Sequence, residues 1–453
     1  MSDYHLPFAV SMLSLARAIA TSGPHRIWNT ESSASPKKRA GTIRIGFFGN
    51  MANNHYCAVK ALRKIGVAAE LVLEDTFIDN YLMNRPFWQD LCLETATVED
   101  AYVFEKEWRQ PTYVHKKQFD PSLASKFSNT GSYGEVQALY KQHFGQELAA
   151  DLAVLLTQHM GYWPYLQAFR QFDICLFSSA AIPLAVFCPK PFIVIPSGGD
   201  INLMPYWETV SGFLTRGAYT RADAVFSLSF YAESIRRLSL SHKTLYIPFI
   251  NAPDSSETGE SSVTIRKRWG VSKNSLCILC GCRQNWEWKG NDLLLRAFAR
   301  FTHPSAYLIL AHWGQDLEKT KKYIDELGIS TKVFWEPVSS RPLLFQKMQA
   351  ADVVCDQFVM DGFGTTIVES LCAGTPVIAR EQLGSCLPGQ NPPPILPAKS
   401  EDDILQHLQA LSSQKYRNSV GCLSKKWAME ERYSPALAQQ FLEQILQTVN
   451  ARL

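Results

Sequence analysis

The chain has 453 residues, of which 46% are hydrophobic and 19% are charged. This length predicts two or three domains, and the hydrophobic content is sufficient for packed cores, which excludes a disordered or fibrous protein. The 45 Lys and Arg residues against 42 Asp and Glu residues leave a net charge of +3, which is too balanced for a protein dedicated to binding nucleic acid.

The eleven cysteines are scattered along the chain and odd in number, which argues against a disulfide framework and favours a reducing cytoplasm. Cys277, Cys280 and Cys282 form a C-x2-C-x-C cluster of the kind that can bind zinc. No second pair of cysteines or histidines follows at ligand spacing, so we interpret the cluster as part of a buried core.

Residues 7–20 are apolar, but no cationic residues precede them and Arg17 interrupts them, so they are not typical of a targeting signal. We predict that they form a surface helix on the first domain, with peripheral contact with a membrane as the alternative. The most apolar stretch, 174–196, is broken by Pro183, Pro189, Lys190 and Pro191. A membrane span needs about 20 unbroken apolar residues, so this stretch is predicted to form two strands with a short helix between them.

The first half of the chain alternates strand and helix patterns after an extension over residues 1–40. A strand at 43–48 precedes a helical pattern at 58–65, and a second strand follows at 71–73. Residues 75–148 are less periodic and are interpreted as an insertion. Further strands follow a helix near 150–171, at 173–177, 192–195, 224–228 and 245–247. This alternation predicts a first domain over 1–250 with a parallel sheet covered on both faces.

A polar linker at 251–262 separates this block from a second one of the same kind. Its predicted strands lie at 277–280, 307–310, 333–335, 352–355 and 376–379. Helical patterns fill the gaps at 291–301, 315–327, 340–350 and 363–373, and the tail adds helices near 401–412 and 415–431. Ser434 and Pro435 are a suitable N-cap and first residue for a last helix, 436–449. Two doubly wound sheets in tandem, with the second domain over 263–430, imply a cleft in which ligands bind beyond the carboxyl ends of strands.

The strongest local signal is the segment D-G-F-G-T-T-I-V-E-S-L-C-A-G-T-P-V-I, which begins at Asp361 and follows a predicted strand. Its glycines open a helix whose first backbone N–H groups, with the helix dipole, favour a phosphate. Asp361 and Glu369 are just over two helical turns apart, and carboxylates there suit hydrogen bonds to sugar hydroxyls. The alternative is that Asp361 caps the helix and Glu369 is solvated.

A second signal is R-Q-N-W-E-W-K-G, which begins at Arg283 and also lies between a strand and a helix. Arg283 and Lys289 offer two cations on one loop to a diphosphate, although two such cations are by themselves typical of a solvated surface.

Together, the two segments resemble the second domain of the nucleotide-sugar-dependent glycosyltransferases of family 4. The resemblance rests on Arg283, Lys289-Gly290, Leu294 and Ala297-Phe298, then on Asp361 to Gly364, Glu369, Ala373-Gly374 and Pro376 to Ile378. It is specific over about 275–380. It implies the α/β GT-B fold, in which two Rossmann-like doubly wound parallel-sheet domains face a central cleft, and a last segment, 431–453, that returns to the first domain.

By this resemblance, Arg283 and Lys289 bind the donor diphosphate, Glu369 binds the ribose hydroxyls and Asp361 binds the transferred sugar. The resemblance also implies that the backbone around Glu336 and Val338 borders the base and that the amides of Gly364, Thr365 and Thr366 contact the phosphate. Phe363 is a further donor contact that it implies. The family has Glu at the first acidic position, so Asp361 is a departure that bears on sugar preference. The Arg–Lys loop also has an extra residue and two tryptophans, Trp286 and Trp288, which either line the cleft or pack.

In the first domain, the resemblance brings the loop Gly49-Asn50 near the donor, although turn formation explains Asn50 and Asn53 equally well. Ser197 stands where many relatives have a histidine, and Gly199 and Asp200 follow as candidate contacts to the sugar or the acceptor. His159 and His55 are weaker candidates, since such histidines are more often structural.

The resemblance implies a retaining transferase that moves a sugar from a UDP- or GDP-linked donor to a glycan, a lipid-linked sugar or a protein. No D-x-D triplet occurs, so we expect transfer without a metal ion or other cofactor. The alternatives are a nucleotide-sugar epimerase of the same fold and an inactive binding or scaffold subunit.

Overall fold

The computed structural model describes residues 43–247, 260–360, 364–380, 391–432 and 435–449. The proposed extension 1–40, most of the linker and the residues Asp361, Phe363 and Ser434 lie outside these ranges.

A seven-stranded parallel sheet forms the first half of the molecule. Its strands in chain order are β1 (Arg44–Phe48), β2 (Ala68–Glu74), β4 (Val114–Lys117), β5 (Ile174–Ser178), β6 (Phe192–Ile195), β7 (Ala224–Ser227) and β8 (Thr244–Tyr246). Their order across the sheet is β4-β2-β1-β5-β6-β7-β8, so the direction of winding reverses between β1 and β5. A reversal of this kind leaves a crevice at the carboxyl ends of the two strands, where ligands bind in open α/β sheets.

A six-stranded parallel sheet forms the second half, with the order β11-β10-β9-β13-β14-β15. Its strands are β9 (Leu276–Cys280), β10 (Ala306–Ala311), β11 (Val333–Glu336), β13 (Val353–Cys355), β14 (Val377–Ala379) and β15 (Leu396–Pro397). The winding reverses between β9 and β13, which gives the second sheet a crevice equivalent to that of the first.

Helices cover both faces of each sheet. In the first half the longest are Asn54–Lys64, Tyr133–Phe144, Ala150–Thr157 and Val210–Arg221, with shorter ones at Pro86–Asp90, Pro121–Lys126, Trp163–Leu166, Gly199–Asn202 and Ala232–Arg237. In the second they are Ser262–Arg268, Trp286–Lys289, Asn291–Arg300, Leu317–Glu326, Arg341–Ala350, Thr365–Ala373, Glu401–Leu411 and Gln414–Glu431, and the last helix of the chain is Pro435–Val449.

Alternation along each central strand places side chains in two separate apolar layers. Phe48 of β1 packs into one layer, while Ile45 and Phe47 pack into the layer on the opposite face. In β9, Cys280 and Cys277 likewise face opposite layers. Both cysteines are buried, and their opposite orientations remove them from any common metal site, which agrees with the interpretation of the cluster as core.

The predicted parallel sheets are confirmed, and the strands expected in the alternating blocks lie within a few residues of their predicted positions. Two differences have clear causes. Strand β4, inside the range interpreted as an insertion, has the sequence V-H-K-K, and its polar character is compatible with the edge of a sheet. The helix expected near 150–171 is divided, because Ala150–Thr157 ends early and Pro164 stands in the first turn of a second helix, Trp163–Leu166, where its missing N–H is not needed.

A short antiparallel ribbon joins the two halves, and its strands β3 (Glu94–Thr95) and β12 (Val338–Ser339) were not predicted. Each of these strands has only two residues, which is too short for a periodic hydrophobic pattern to be recognised in the sequence. Trp313, which follows β10, also packs against the first-half layer that contains Phe47. The final helix, Pro435–Val449, packs against the helix Asn54–Lys64, and Phe441 lies 5.8 Å from Phe226 between ring centroids.

Within the described ranges, no helix is both long enough and apolar enough to cross a membrane. The apolar segment 7–20 is outside those ranges.

Candidate functional site

The loop that carries Lys289 begins at the carboxyl end of β9. Asn285 caps the short helix Trp286–Lys289 by accepting a hydrogen bond from the Trp288 N–H at 2.8 Å. Gly290 then ends that helix with a φ of +68°, and a Cβ there would lie 2.9 Å from Val359 Cγ2, so glycine suits this position on two counts. The Lys289 carbonyl accepts a hydrogen bond from Phe358 N–H at 2.8 Å, which ties the loop to the segment after β13.

The Lys289 ammonium is held by two side chains that sequence reasoning did not single out. Its Nζ lies 3.0 Å from Asp356 Oδ1 and 2.9 Å from Gln357 Oε1. Burial acts to lower the pKa of Lys289, but the charge of Asp356 and neighbouring groups hold that pKa above its usual value. Lys289 is therefore protonated at neutral pH and fixed at the carboxyl ends of β9 and β13.

Arg283 lies on the same loop, with its guanidinium carbon 5.8 Å from the centroid of the Trp288 ring. In the part of the chain that the structure describes, Arg283 has no ion pair, so its charge is available. Trp288 is 43% exposed, whereas Trp286 packs on Tyr323 and donates from Nε1 to Thr320 at 2.9 Å. Each tryptophan has a cation near its ring, because Lys319 Nζ lies 3.8 Å from the centroid of the Trp286 ring, but Trp288 is the more exposed of the two.

Gly364 is the N-cap of the helix Thr365–Ala373, and no side chain caps the first turn. A Cβ on Gly364 would lie 3.2 Å from Asp356 Oδ2, so the glycine permits a close approach between this helix start and the Asp356 carboxylate. Thr365 and Thr366 form the first turn, where backbone N–H groups have no partner within the helix. Asp361 and Phe363 lie outside the described residues.

Glu369 is 3% exposed and forms an ion pair with Arg341 Nη2 through Oε1. Burial raises the pKa of Glu369 to about 7; Arg341 opposes this shift, and the charge of Asp356 adds to it. Glu369 Oε2 has no hydrogen-bond partner among the described residues. The same is true of Asp356 Oδ2, and a buried acceptor without a partner indicates a place for a ligand or water.

Glu336 and Val338 have structural partners. The Glu336 carboxylate is ion-paired with Lys347 and accepts a hydrogen bond from Trp269 Nε1 at 2.6 Å, and its carbonyl accepts one from His312 N–H at 2.8 Å. Val338 pairs with Thr95 in the ribbon between the two halves. The Glu336 side chain is thus committed to the domain junction.

In the first sheet, Gly49 follows β1 with a φ of +77°, and a Cβ there would lie 2.4 Å from the Ser178 carbonyl oxygen. Asn50 is fully buried, and its amide donates to Asn53 Oδ1 at 2.7 Å and to the Asn84 carbonyl at 2.6 Å. Its Oδ1 accepts from Tyr56 N–H at 2.9 Å. These bonds use both amide protons, so the turn-forming alternative describes the Asn50 side chain.

Asp200 organises the loop after β6. Its carboxylate accepts hydrogen bonds from Ser197 N–H at 3.0 Å, Ser197 Oγ at 3.0 Å, Gly198 N–H at 2.8 Å and Ser179 N–H at 3.1 Å. Asp200 therefore joins the loops that follow β5 and β6, and its acceptor capacity is largely used within the protein. Gly199 next to it is exposed.

The two candidate histidines of the first domain, His159 and His55, are buried. His159 Nδ1 lies 2.9 Å from the Leu155 carbonyl oxygen and the ring packs on Phe187. His55 contacts Phe47, and burial lowers its pKa to about 4. The structure does not bring His159 together with the residues of the second sheet.

The structure does bring together the candidates of the second sheet. Lys289 is hydrogen-bonded to Asp356, and the Asp356 carboxylate lies against Gly364. Gly364 precedes the helix that contains Glu369, and Arg341 forms an ion pair with Glu369. The first domain reaches this cluster through the helix Asn54–Lys64. Burial raises the pKa of the Cys57 thiol in that helix to about 12, and the charges of Arg341 and Glu369 also act on it.

Asp356 and Arg341 were missed because neither belongs to a local motif. Asp356 directly follows a strand predicted at 352–355, which is a signal that was available. Arg341 meets Glu369 only through the tertiary fold, and no spacing in the sequence indicates that contact.

Residues 263–386 match the family described as "Glycosyl transferases group 1". The D-inositol 3-phosphate glycosyltransferase of Mycolicibacterium smegmatis is 35% identical over 94 residues, which are 20% of this chain and 22% of that protein. The corresponding enzyme of Mycobacterium leprae is 35% identical over 96 residues, again 20% of this chain and 22% of that protein. The chain thus matches only about a fifth of the length of these curated relatives.

Several solved structures share the whole architecture. HepE from Anabaena, in complex with UDP and glucose, aligns with a TM-score of 0.58 and 17% identity over 89% of this chain and all of that one. The sucrose-phosphate synthase of Thermosynechococcus elongatus gives a TM-score of 0.58 and 14% identity over 90% of this chain and all of that one. These likenesses and the two parallel sheets confirm the GT-B fold, and within the chain residues 263–386 match the glycosyl transferases group 1.

Proposed function

We propose that the chain is a retaining glycosyltransferase of the family 4 type. It moves a sugar from a UDP- or GDP-linked donor to a glycan, a lipid-linked sugar or a protein, without a metal ion, in the cytoplasm. The observation that carries the proposal is the meeting of Lys289 and the uncapped start of the helix Thr365–Ala373 at the crevice of the second sheet.

The charges at this crevice suit a diphosphate. Lys289 and Arg341 each have an acidic partner, so these two pairs are close to neutral. Arg283 has no such partner among the described residues, and it lies on the loop that carries Lys289. The local excess of positive charge therefore comes from Arg283 and from the helix dipole, and both favour an anion.

In the proposed reaction, the bond between the anomeric carbon and a diphosphate oxygen breaks, and the acceptor hydroxyl oxygen bonds to that carbon on the same face. The hydroxyl proton passes to a diphosphate oxygen. Arg283 and Lys289 stabilise the negative charge that develops on the leaving diphosphate. Glu369 binds the ribose hydroxyls, and Asp361 contacts the transferred sugar.

Three findings support this proposal. The matched family consists of glycosyl transferases, the curated relatives are named as glycosyltransferases, and the HepE structures contain UDP or UDP-glucose. UDP-glucose is therefore the first donor to test.

The test is calorimetric titration of the full chain with UDP-glucose, GDP-mannose and ADP-glucose, with a thermal-unfolding scan beside it. A ligand at about one hundred times its Kd stabilises the fold by about 2.7 kcal/mol, which is easily measured. Lys289→Ala should lose binding and turnover. Lys322→Ala is the matched control, because Lys322 is 81% exposed and, among the described residues, forms an ion pair only with Glu326 on its own helix.

A folded wild-type protein that binds none of these donors or their nucleoside diphosphates would overturn the proposal. Unchanged turnover in Lys289→Ala would do the same. The anomeric configuration of the product, read by NMR, tests retention, and activity in excess EDTA tests independence from a metal.

A further inference from the structure

The contact between Arg341 and Glu369 links the crevice of the second sheet to the domain junction. Both side chains are largely buried, with 13% and 3% of their surface exposed. Of the two oxygens of the Glu369 carboxylate, Arg341 contacts Oε1. Glu369 Oε2 and Arg341 Nε have no hydrogen-bond partner among the described residues, so each retains a capacity to bind.

The position of Arg341 depends on the first domain. Arg341 is the first residue of the helix Arg341–Ala350, which begins directly after β12. Ser340 precedes it and bonds Leu93 of the first domain twice: the Ser340 N–H donates to the Leu93 carbonyl at 2.9 Å, and the Leu93 N–H donates to Ser340 Oγ at 3.0 Å. The residue before Arg341 is thus fixed by the other half of the molecule.

We propose that Arg341 is a positioning residue for nucleoside binding: it holds one oxygen of Glu369 and leaves Oε2 for the hydroxyls of the nucleoside, in a geometry set by the domain junction. This inference rests on the function proposed above. Arginine suits the role, because its planar guanidinium fixes a carboxylate more strictly than the flexible ammonium of lysine.

The charged and titratable groups that interact with Glu369 come from four elements. Arg341 approaches from the helix Arg341–Ala350, Asp356 from the end of β13, Cys57 from the helix Asn54–Lys64, and Cys372 from the same helix as Glu369. Arg341 is the cation among them, and it opposes the rise in the pKa of Glu369 caused by burial and by Asp356. Removal of Arg341 therefore favours the protonated form of Glu369, which is a weaker acceptor for hydroxyls.

The test is titration of the full-length protein with UDP and with GDP between pH 6 and pH 8.5. For wild type, we expect affinity to fall as the pH drops through about 7, where Glu369 takes up a proton. Arg341→Gln should weaken binding about tenfold or more at pH 7.5 and move the midpoint to higher pH. Arg341→Lys should retain the wild-type midpoint more closely, because it keeps the charge, but bind more weakly than wild type.

Two further variants separate positioning from general damage. Glu369→Gln should remove the pH dependence, and the double variant with Arg341→Gln should bind no more weakly than Glu369→Gln alone. Arg268→Gln is the matched control: Arg268 lies at the same domain junction, with Glu260 at 2.9 Å, and makes no contact with Glu369 among the described residues.

Wild-type affinity and midpoint in Arg341→Gln would overturn the inference and leave the proposed function standing. Additive losses from Arg341→Gln and Glu369→Gln would also overturn it. If Arg341→Gln does not fold, Arg341→Lys decides: an affinity equal to wild type at every pH contradicts the role. A folded wild-type protein that binds neither UDP nor GDP would remove the basis of both proposals.

Discussion

Lys289 Nζ lies 3.0 Å from Asp356 Oδ1, and the Asp356 side chain is completely buried at the carboxyl end of β13. The aspartate therefore supplies the countercharge of a lysine that is itself only 19% exposed. Asp356 also lies against Gly364, so one carboxylate positions a cation and borders the helix start to which we assign phosphate binding.

This ion pair predicts that Asp356→Asn destabilises the protein. The substitution leaves the Lys289 charge in a mostly buried place without a countercharge, and breaking such a pair costs roughly 3 kcal/mol in the free energy of unfolding. Urea denaturation measures this loss. Asp402→Asn is the control, because Asp402 is 76% exposed in its pair with Arg300 and should change stability by less than about 1 kcal/mol. Equal stability of the two variants would contradict the prediction.

A steric prediction concerns Gly49, which follows β1 at the crevice of the first sheet. Gly49→Ala should destabilise the fold strongly for two reasons. The new Cβ would lie 2.4 Å from the Ser178 carbonyl oxygen, and alanine would have to adopt a φ of +77°. Gly66→Ala is the matched control: φ is +85°, but no atom lies within 4 Å of the new Cβ. The control should cost about 1 kcal/mol from backbone strain alone, so thermal unfolding should show a clearly larger loss for Gly49→Ala. Similar losses would show that the contact with Ser178 is relieved without cost.

The extent to which this molecule could be predicted from its sequence follows from the range of its interactions. The central strands are short apolar runs between turn residues, so their positions and the parallel sheets were readable. Lys289 and Glu369 could be chosen as candidates because each belongs to a motif that follows a strand; Lys289 precedes a helix and Glu369 lies within one. The residues of each motif lie close together in the sequence, so the motif can be recognised without knowledge of the tertiary structure.

Hydrogen-bond partners that come from distant parts of the chain could not be predicted from local motifs. Asn50 looked like a candidate ligand contact, but its amide is used by Asn53 and by the carbonyl of Asn84, which lies 34 positions further along. Asp200 similarly serves backbone groups of two loops. A polar residue after a strand has the same local sequence signature whether it binds a ligand or a neighbouring loop, and only the tertiary structure separates the two.

The junction between the domains makes a prediction about Lys347, which is 1% exposed and ion-paired with Glu336 and, at 3.2 Å, with Glu94 across the junction. Lys347→Met should reduce the free energy of unfolding by several kcal/mol, because two buried or half-buried carboxylates lose their nearest cation and, among the described residues, keep only the more distant Arg268, at 3.8 and 3.9 Å. Lys141→Met is the control, since the pair of Lys141 with Glu147 is exposed on both sides. Chemical denaturation decides between them, and a Lys347→Met protein as stable as the control would show that the junction does not depend on this charge.

The last prediction concerns the pH dependence of stability that arises from Glu369. The pKa of Glu369 is raised from 4.5 to about 7 in the folded protein, so the native state holds the proton more tightly than the unfolded chain between these values. Stability contributed by this group is therefore lost as the pH rises from 4.5 to 7, and the loss amounts to about 3 kcal/mol at about 1.4 kcal/mol for each pH unit. Glu369→Gln removes the titration. Asp79, whose pKa burial raises to about 7, and His55, whose pKa burial lowers to about 4, also make stability depend on pH, but they are present in both proteins and cancel in the difference.

The measurement is the difference in unfolding free energy between Glu369→Gln and wild type, taken from urea denaturation at several pH values between 4.5 and 8. The variant should gain on wild type steadily from pH 4.5 to about pH 7 and then run parallel to it, because above that range Glu369 is ionised in both states of wild type. A gain in the opposite direction, or a constant difference across the range, would mean that Arg341 compensates the burial of Glu369 completely. In that case the carboxylate would be ionised throughout, and the fall in nucleotide affinity expected below pH 7 would be absent as well.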